Sequence, residues 1–150
     1  MSDLSYHKSS RVTERGPLSQ DKQPALYYRW APAESSRATV LILHGYGEHS
    51  GRYEHVLEAL VESGVSGLAI DYRGYGLAEG RRGCLRGFDE YLTDALRGLK
   101  LAEHKKGVDE PLFLLGHSQG GLLAMRVAME EGLGLSGLLL SSPWLGMAMK

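Results

Sequence analysis

A serine lies between two glycines in the segment Gly116-His117-Ser118-Gln119-Gly120, which has the pattern Gly-x-Ser-x-Gly. An apolar run precedes this segment and a run rich in Ala, Leu and Met follows it, so the context predicts a buried strand, a sharp turn and a helix. Such a turn strains the serine backbone and exposes the hydroxyl, while the two glycines leave room for backbone that a Cβ would obstruct. The sequence therefore predicts Ser118 as a nucleophile at a strand-to-helix elbow.

Two neighbouring alternatives concern the same turn. Ser118 could simply be a helix N-cap, for which serine is favoured, but capping does not require a glycine on each side. His117 could be a base, but adjacent residues on a tight turn point apart, so we expect it to support the turn instead. The N-terminus of the predicted helix offers free N–H groups and a positive dipole end to a developing oxyanion.

The composition narrows the classes of function. The formal net charge is -1 and no block of basic residues occurs, so neither nucleic acid nor an anionic membrane surface is expected as a partner. Cys84 is the only cysteine, which excludes a disulfide framework and a cysteine-based zinc site within one chain. We see no signal peptide and no apolar run long enough for a transmembrane segment. We therefore expect a cytoplasmic protein.

Three histidines, His44, His49 and His55, lie close together in the chain. Their spacing matches no zinc signature, and neither an acidic cluster nor a cysteine cluster accompanies them. Hydrogen bonding within a loop is the simpler explanation. The sequence therefore predicts neither a metal nor a cofactor.

Predicted strands and helices alternate along the chain. We expect residues 1–23 to be a poorly structured N-terminal segment or to hold an edge strand around 11–14, and 24–150 to form the folded domain. Within that domain the expected strands are 25–30 as an outer strand, 39–44, 66–71, the run before Gly116, and 135–141; the expected helices are 53–61, 88–103 and the run after Ser118. The alternation predicts an α/β fold with a mostly parallel sheet and flanking helices.

Ligands of parallel sheets bind at the carboxyl ends of the strands. Four polar residues, His44, Asp71, Ser118 and Ser141, fall at such ends. We expect them to lie near one another at one edge of the sheet.

A dinucleotide-binding domain is an alternative from another class. A buried strand leads to Gly45-x-Gly47-x-x-x-Gly51, and Asp71 ends the next strand, where a ribose-binding acid would lie. The third glycine is not at the standard spacing, and this interpretation leaves the Ser118 elbow unexplained. A non-catalytic binding module that uses the sheet only for interaction is a further alternative.

Three motifs carry a resemblance to a known family. They are His44-Gly45-Tyr46-Gly47-Glu48-His49-Ser50-Gly51-Arg52-Tyr53, then Asp71-Tyr72-Arg73-Gly74-Tyr75-Gly76 with Glu79-Gly80, and finally Gly116-His117-Ser118-Gln119-Gly120-Gly121. In this order they resemble the monoacylglycerol lipase and lysophospholipase branch of the α/β-hydrolases, from about Ala25 onward. The resemblance implies an α/β-hydrolase fold and a serine esterase or lipase of lipid metabolism. Its substrate would be a small lipid or ester, with monoacylglycerol or lysophospholipid favoured.

The resemblance also implies roles for single residues. Ser118 would be the nucleophile, and the backbone N–H groups of Tyr46 and Gln119 would form the oxyanion hole. His44 and Gly45 would shape the loop that carries Tyr46, and the glycines at 45 and 47 would allow close approach. This chain has Tyr72, Tyr75 and Ala78 where the family often has His, His and Ser, which affects a supporting loop.

The catalytic acid and base of that family follow the nucleophile in the chain. After Ser118 the sequence contains no histidine, and its only acids are Glu130 and Glu131. We therefore expect the chain to be the N-terminal half of such a hydrolase, truncated before the cap and the last strands. On its own it would be inactive or nearly so, with an exposed sheet edge that invites self-association.

Overall fold

A computed structural model of the chain describes residues 11–20, 22–84 and 86–146. These residues form six strands and three α-helices; strands and helices alternate only after the first three strands. The strands are β1 Glu14–Gln20, β2 Gln23–Ala31, β3 Thr39–Leu43, β4 Ser66–Asp71, β5 Leu112–His117 and β6 Leu135–Ser141; the helices are α1 Glu54–Glu62, α2 Phe88–Lys105 and α3 Gln119–Ala128. A short 3₁₀ helix, Ser50–Tyr53, leads into α1.

The six strands form one sheet in the order β1-β2-β4-β3-β5-β6. Strands β3 to β6 run parallel to one another, and β1 and β2 pair antiparallel at one side. The prediction of an α/β fold with a mostly parallel sheet is confirmed. Because β4, β3 and β5 are adjacent, the loops after these three strands meet at one edge of the sheet.

The core lies on both faces of β3, as its continuous apolar run predicts. Leu41 and Leu43 pack on the face covered by α2 and α3, while Val40 and Ile42 pack against α1 on the other. All of β3 is buried. This two-sided packing fixes the strand from which the His44 loop emerges.

The two N-terminal strands differ from the expectation. The strand expected around 11–14 lies at Glu14–Gln20, and residues 1–10 fall outside the described part of the chain. The prediction that 25–30 is an outer strand is wrong, because β2 pairs with β1 on one side and with β4 on the other. The sequence of β1 is mostly polar and shows no alternation of apolar and polar residues, so it does not predict the bounds of this strand. Because β1 pairs with β2, β2 is not an edge strand.

On the opposite side of the sheet, β6 pairs with β5 alone among the described strands. Three of its leucines, Leu138, Leu139 and Leu140, are exposed.

Among the described residues, no helix has both the length and the apolar character needed to cross a membrane.

Candidate active site

Ser118 lies between the end of β5 and the start of α3, with φ 52° and ψ -115°. A positive φ in a non-glycine residue costs on the order of 1–3 kcal/mol and persists only where the surroundings impose it. The expected strained elbow is therefore present at this serine.

Four backbone hydrogen bonds hold the elbow in that conformation. The Ser118 N–H donates to the Ser141 carbonyl at 3.0 Å, at the end of β6. The Ser118 carbonyl accepts from the N–H groups of Gly121 at 2.9 Å, Leu122 at 3.2 Å and Trp144 at 2.9 Å. Both backbone groups of the serine are thus satisfied, and the turn is fastened to the neighbouring strand.

The glycines on either side of the serine permit a close approach of backbone to backbone. A Cβ on Gly116 would lie 2.3 Å from the Gly120 carbonyl oxygen, and a Cβ on Gly120 would lie 2.1 Å from the Leu43 oxygen. Any side chain would therefore push α3 away from β3 and β5. The first turn of α3 can rest directly against the end of β3 only because these positions are glycine.

The loop after β3 carries the second expected oxyanion donor. The Gly45 carbonyl accepts hydrogen bonds from His44 Nδ1 at 2.8 Å and from the Glu48 N–H at 3.3 Å. In a trans peptide the N–H points opposite to the carbonyl, so the Tyr46 N–H points away from both donors. Within the described residues, neither the Tyr46 N–H nor the Gln119 N–H donates to a protein acceptor. The N–H groups of Tyr46, after β3, and of Gln119, at the start of α3, therefore remain available as donors.

His44 supports this loop from a buried position. Its side chain is 1% exposed, and its ring lies 4.1 Å from the Tyr72 ring and 5.5 Å from the Tyr75 ring. A carbonyl oxygen can only accept, so the contact with Gly45 places the proton on Nδ1, and the buried Nε2 has no partner among the described residues. Burial lowers the pKa of His44, although the Asp71 and Glu48 carboxylates oppose that shift. The ring is therefore neutral at physiological pH.

The His117 side chain is turned towards β6. Its Nδ1 lies 3.1 Å from the carbonyl oxygen of Ser141 and 3.1 Å from the hydroxyl of the same residue. Among the described residues, no histidine is hydrogen-bonded to the Ser118 hydroxyl. A general base for Ser118 is thus not supplied by the part of the chain that the structure describes.

Asp71, at the end of β4, joins two loops instead of facing a ligand. Its carboxylate is fully buried, accepts from the N–H groups of Ser50 at 2.5 Å and Leu77 at 2.9 Å, and lies 3.7 Å from Arg29 Nη1. The dinucleotide interpretation required this carboxylate to bind a ribose hydroxyl. A fully buried and already hydrogen-bonded Asp71 cannot do so, and the geometry argues against that alternative.

One expectation about the glycines is wrong. A Cβ on Gly47 would meet no atom within 4 Å, so this position does not serve close approach; its φ of 71° is what favours glycine. Gly45 does serve close approach, because a Cβ there would lie 2.9 Å from Glu48 Oε2.

Sequence reasoning overlooked the role of Glu48 and of the tyrosines after β4. The Glu48 carboxylate accepts the Gly45 N–H at 2.9 Å, a local contact that the three-residue spacing could have suggested. The Tyr72 hydroxyl donates to the His44 carbonyl at 3.2 Å, and the Tyr91 and Tyr75 hydroxyls are 2.9 Å apart. Tyr72 and Tyr75 thus build an aromatic support for the His44 loop.

Apolar side chains are exposed around the same edge of the sheet. They come from the loops after β3, β4 and β6, and they are Tyr46, Leu77, Trp144 and Leu145. We call these four exposed residues the apolar rim; one of them, Trp144, is tied to the elbow by the hydrogen bond from its N–H to the Ser118 carbonyl.

Comparison with known proteins identifies relatives over most of this region. A family model described as serine aminopeptidase, S33 matches residues 34–150. The matched range contains the His44 loop, Asp71 and the elbow, so it covers the whole candidate site.

Curated relatives and solved structures match over a similar extent. The chain is 36% identical over 114 residues to the monoglyceride lipase of Mus musculus, covering 76% of this chain and 37% of the relative. It is 36% identical over 119 residues to the phospholipase YtpA of Bacillus subtilis, covering 79% of this chain and 45% of the relative. The crystal structure of the monoacylglycerol lipase of Paleococcus ferrophilus matches with a TM-score of 0.68 and 33% identity, over 81% of this chain and 44% of that one. The chain thus spans less than half the length of each of these proteins.

Proposed function

The chain belongs to the serine aminopeptidase S33 family of α/β-hydrolases, in its monoacylglycerol lipase branch, as the motifs predicted, and from this premise we propose that its gene product hydrolyses carboxylic esters of lipids through an acyl-enzyme at Ser118. The observation that carries the proposal is the strained elbow, which holds Ser118 with both of its backbone groups hydrogen-bonded. Structural support alone would not require a serine at so costly a backbone angle.

In the first step, the Ser118 oxygen attacks the acyl carbonyl carbon while a base removes the hydroxyl proton. The carbonyl π electrons move onto oxygen, and the Tyr46 and Gln119 N–H groups hold the resulting oxyanion. Each such donor contributes about 3 kcal/mol to transition-state stabilisation. When the tetrahedral intermediate collapses, the bond to the leaving alcohol breaks and the alcohol takes up the proton.

In the second step, water attacks the acyl-enzyme by the same route. The base takes a proton from water, a second oxyanion forms in the same hole, and the Ser118 oxygen leaves with the returned proton. The base is a histidine oriented by an acidic residue, both located outside these 150 residues. Without them the Ser118 hydroxyl is a weak nucleophile at neutral pH.

The lipid character of the substrate is supported by two observations. The relatives are named as a monoglyceride lipase and a phospholipase, and both are similar over the candidate site. The apolar rim includes the exposed side chains of Tyr46 and Leu77, in loops after β3 and β4, and we propose that the acyl chain of the substrate contacts them. Monoacylglycerols and lysophospholipids each present one acyl chain and a polar head, and we propose them as the substrate class.

Replacement of the serine in the complete gene product tests this proposal. Ser118→Ala removes the nucleophile, so we expect hydrolysis of monoacylglycerol to fall by at least about 10³-fold while the thermal unfolding midpoint is retained. The matched control is Ser35→Ala, at an exposed turn position between β2 and β3, which should hydrolyse the substrate at the unmodified rate.

Intact mass spectrometry after treatment with a fluorophosphonate gives an independent result. One adduct should form on the unmodified protein and none on Ser118→Ala. Turnover retained by Ser118→Ala would overturn the assignment of the nucleophile. An unmodified protein with neither turnover nor adduct would leave the non-catalytic binding module as the better interpretation.

A further inference from the structure

The geometry points to Glu48 as the residue that positions the Tyr46 oxyanion donor, by fixing the backbone of Gly45 immediately before it. Glu48 acts through that peptide and not on the substrate, so it is a positioning residue. The inference rests on the proposed function, because it assigns a purpose to the orientation of one backbone N–H.

Glu48 holds both backbone groups of Gly45. Its Oε2 accepts the Gly45 N–H at 2.9 Å, and its own N–H donates to the Gly45 carbonyl at 3.3 Å. His44 Nδ1 is the other donor to that carbonyl, at 2.8 Å. The peptide group that joins Gly45 to Tyr46 is thus restrained through its carbonyl, and the preceding peptide is restrained through its N–H.

These restraints matter because the residues on either side of Tyr46 do little to restrict its backbone. Gly45 and Gly47 flank Tyr46, and a Cβ on Gly47 would meet no atom within 4 Å. Glycine backbone rotates with a low steric cost, so a loop of this composition can turn a peptide by a large angle. A turned Gly45–Tyr46 peptide would present its carbonyl oxygen, in place of an N–H, to the oxyanion.

Two neighbours keep the Glu48 carboxylate in place. The Tyr53 hydroxyl donates to the same Oε2 at 2.7 Å, and Arg52 Nε lies 3.5 Å from Oε1. Partial burial tends to raise the pKa of Glu48, but the hydrogen bonds from Tyr53 and Gly45 hold that pKa below its usual range. The group is therefore an ionised acceptor at neutral pH. Tyr53 is buried against the α1 side of the core, which connects the carboxylate to a rigid part of the fold.

The test compares Glu48→Ala with Glu48→Gln in the complete gene product. Glu48→Ala removes the acceptor, so we expect kcat for monoacylglycerol to fall about 10- to 100-fold, with KM within about twofold of the unmodified protein. Glu48→Gln keeps an oxygen acceptor and should lose less than about fivefold. Glu62→Gln, at an exposed position at the end of α1, is the matched control and should leave both constants unchanged.

Inhibitor affinity separates positioning from a merely structural role. A trifluoromethyl ketone adds to the serine and forms an oxyanion in the hole, whereas an ether analogue of the substrate binds without forming one. Glu48→Ala should weaken the ketone by about the same factor as kcat and leave the affinity of the ether within about twofold. A structural role would weaken both inhibitors alike, and that result would overturn the inference.

Three further outcomes are decisive. If Glu48→Ala does not fold, the same measurements are made on Glu48→Gln and on Tyr53→Phe, which loosens the carboxylate; unmodified kcat in both would overturn the inference. If Ser118→Ala is inactive while Glu48→Ala retains the unmodified kcat, only this inference fails. If Ser118→Ala retains turnover, the proposed function fails and the inference fails with it.

Discussion

His44 illustrates how surroundings decide what a single side chain can do. In the sequence it stands at the end of a buried strand, where a histidine could be a metal ligand or a loop support. In the structure it is buried against Tyr72 and Tyr75, with one ring nitrogen hydrogen-bonded to the Gly45 carbonyl and the other unpartnered within the described residues. An imidazole in that environment is suited to fixing the loop and not to exchanging protons.

The lowered pKa of His44 predicts a pH-dependent stability. An unfolded histidine titrates near 6.5, and burial lowers the folded value, so below about pH 6.5 the unfolded chain binds more protons than the folded one. Stability is therefore complete above that pH and falls as the pH falls. Between about pH 7.5 and pH 5 the free energy of unfolding, measured with urea, should decrease in both proteins. The decrease should be smaller in His44→Phe than in the unmodified protein, by up to about 2 kcal/mol.

The control for this prediction is His104→Phe, at an exposed position on α2, which should keep the full pH dependence. Equal pH dependence in His44→Phe and the unmodified protein would show that His44 is not held neutral in the folded state.

At the scale of elements, α2 is joined to the loop after β4 by a buried ion pair. Arg73 donates from Nε at 2.9 Å and from Nη2 at 2.7 Å to the two oxygens of Asp94, and its N–H adds a third hydrogen bond at 3.0 Å. Asp94 is fully buried, and Arg97 Nη1 also lies 3.5 Å from it. The loop after β4 contains Leu77 and Tyr75, so this pair holds one wall of the candidate site against the helix.

Breaking that pair should destabilise the fold strongly. Asp94→Asn leaves the guanidinium groups of Arg73 and Arg97 beside a neutral amide, whose NH₂ group cannot accept hydrogen bonds from them. Breaking a buried ion pair on one side typically lowers the free energy of unfolding by about 3–5 kcal/mol. Asp89→Asn, at an exposed position in the first turn of the same helix, should cost less than about 1 kcal/mol. Chemical unfolding of both variants measures the difference, and a cost below about 1 kcal/mol for Asp94→Asn would contradict the assigned role.

At the scale of the whole molecule, the two edge strands of the sheet differ in the character of their side chains. Among the described strands β1 pairs only with β2 and β6 only with β5, so both are edge strands, but β1 is mostly polar whereas β6 is rich in leucine. The leucines at 138 to 140 are between 37% and 45% exposed. Unpaired backbone groups next to exposed apolar side chains favour association with another chain.

We therefore predict that the 150-residue polypeptide, produced by itself, associates with a second copy through β6. Sedimentation velocity should show a concentration-dependent rise in mass, and Leu139→Lys should weaken association by at least about tenfold because charge on an edge strand opposes pairing. The matched control is Val108→Lys, at a loop position that is 95% exposed, which should leave association unchanged. A polypeptide that stays monomeric at high concentration would contradict the prediction.

The sequence by itself determined the order in which strands and helices follow one another along the chain, and it determined the position of the elbow. The strand expected at 66–71 coincides with β4, and the elbow follows from glycines at 116 and 120 around Ser118. These features are local, because each is signalled by only a few neighbouring residues. A strand buried on both faces appears as a continuous apolar run, and a close approach of backbone appears as a glycine.

Only the tertiary structure decided which distant residues meet. Asp71 and Ser50 are 21 positions apart, and the pairing of β1 with β2 depends on a polar strand that shows no periodic pattern. The sequence gives Asp71 the position of a ligand-binding carboxylate, but the fold buries it between two loops and satisfies it with their N–H groups. Hydrogen bonds between loops depend on how strands are ordered in the sheet, and strand order is a property of the packed chain that no short segment contains.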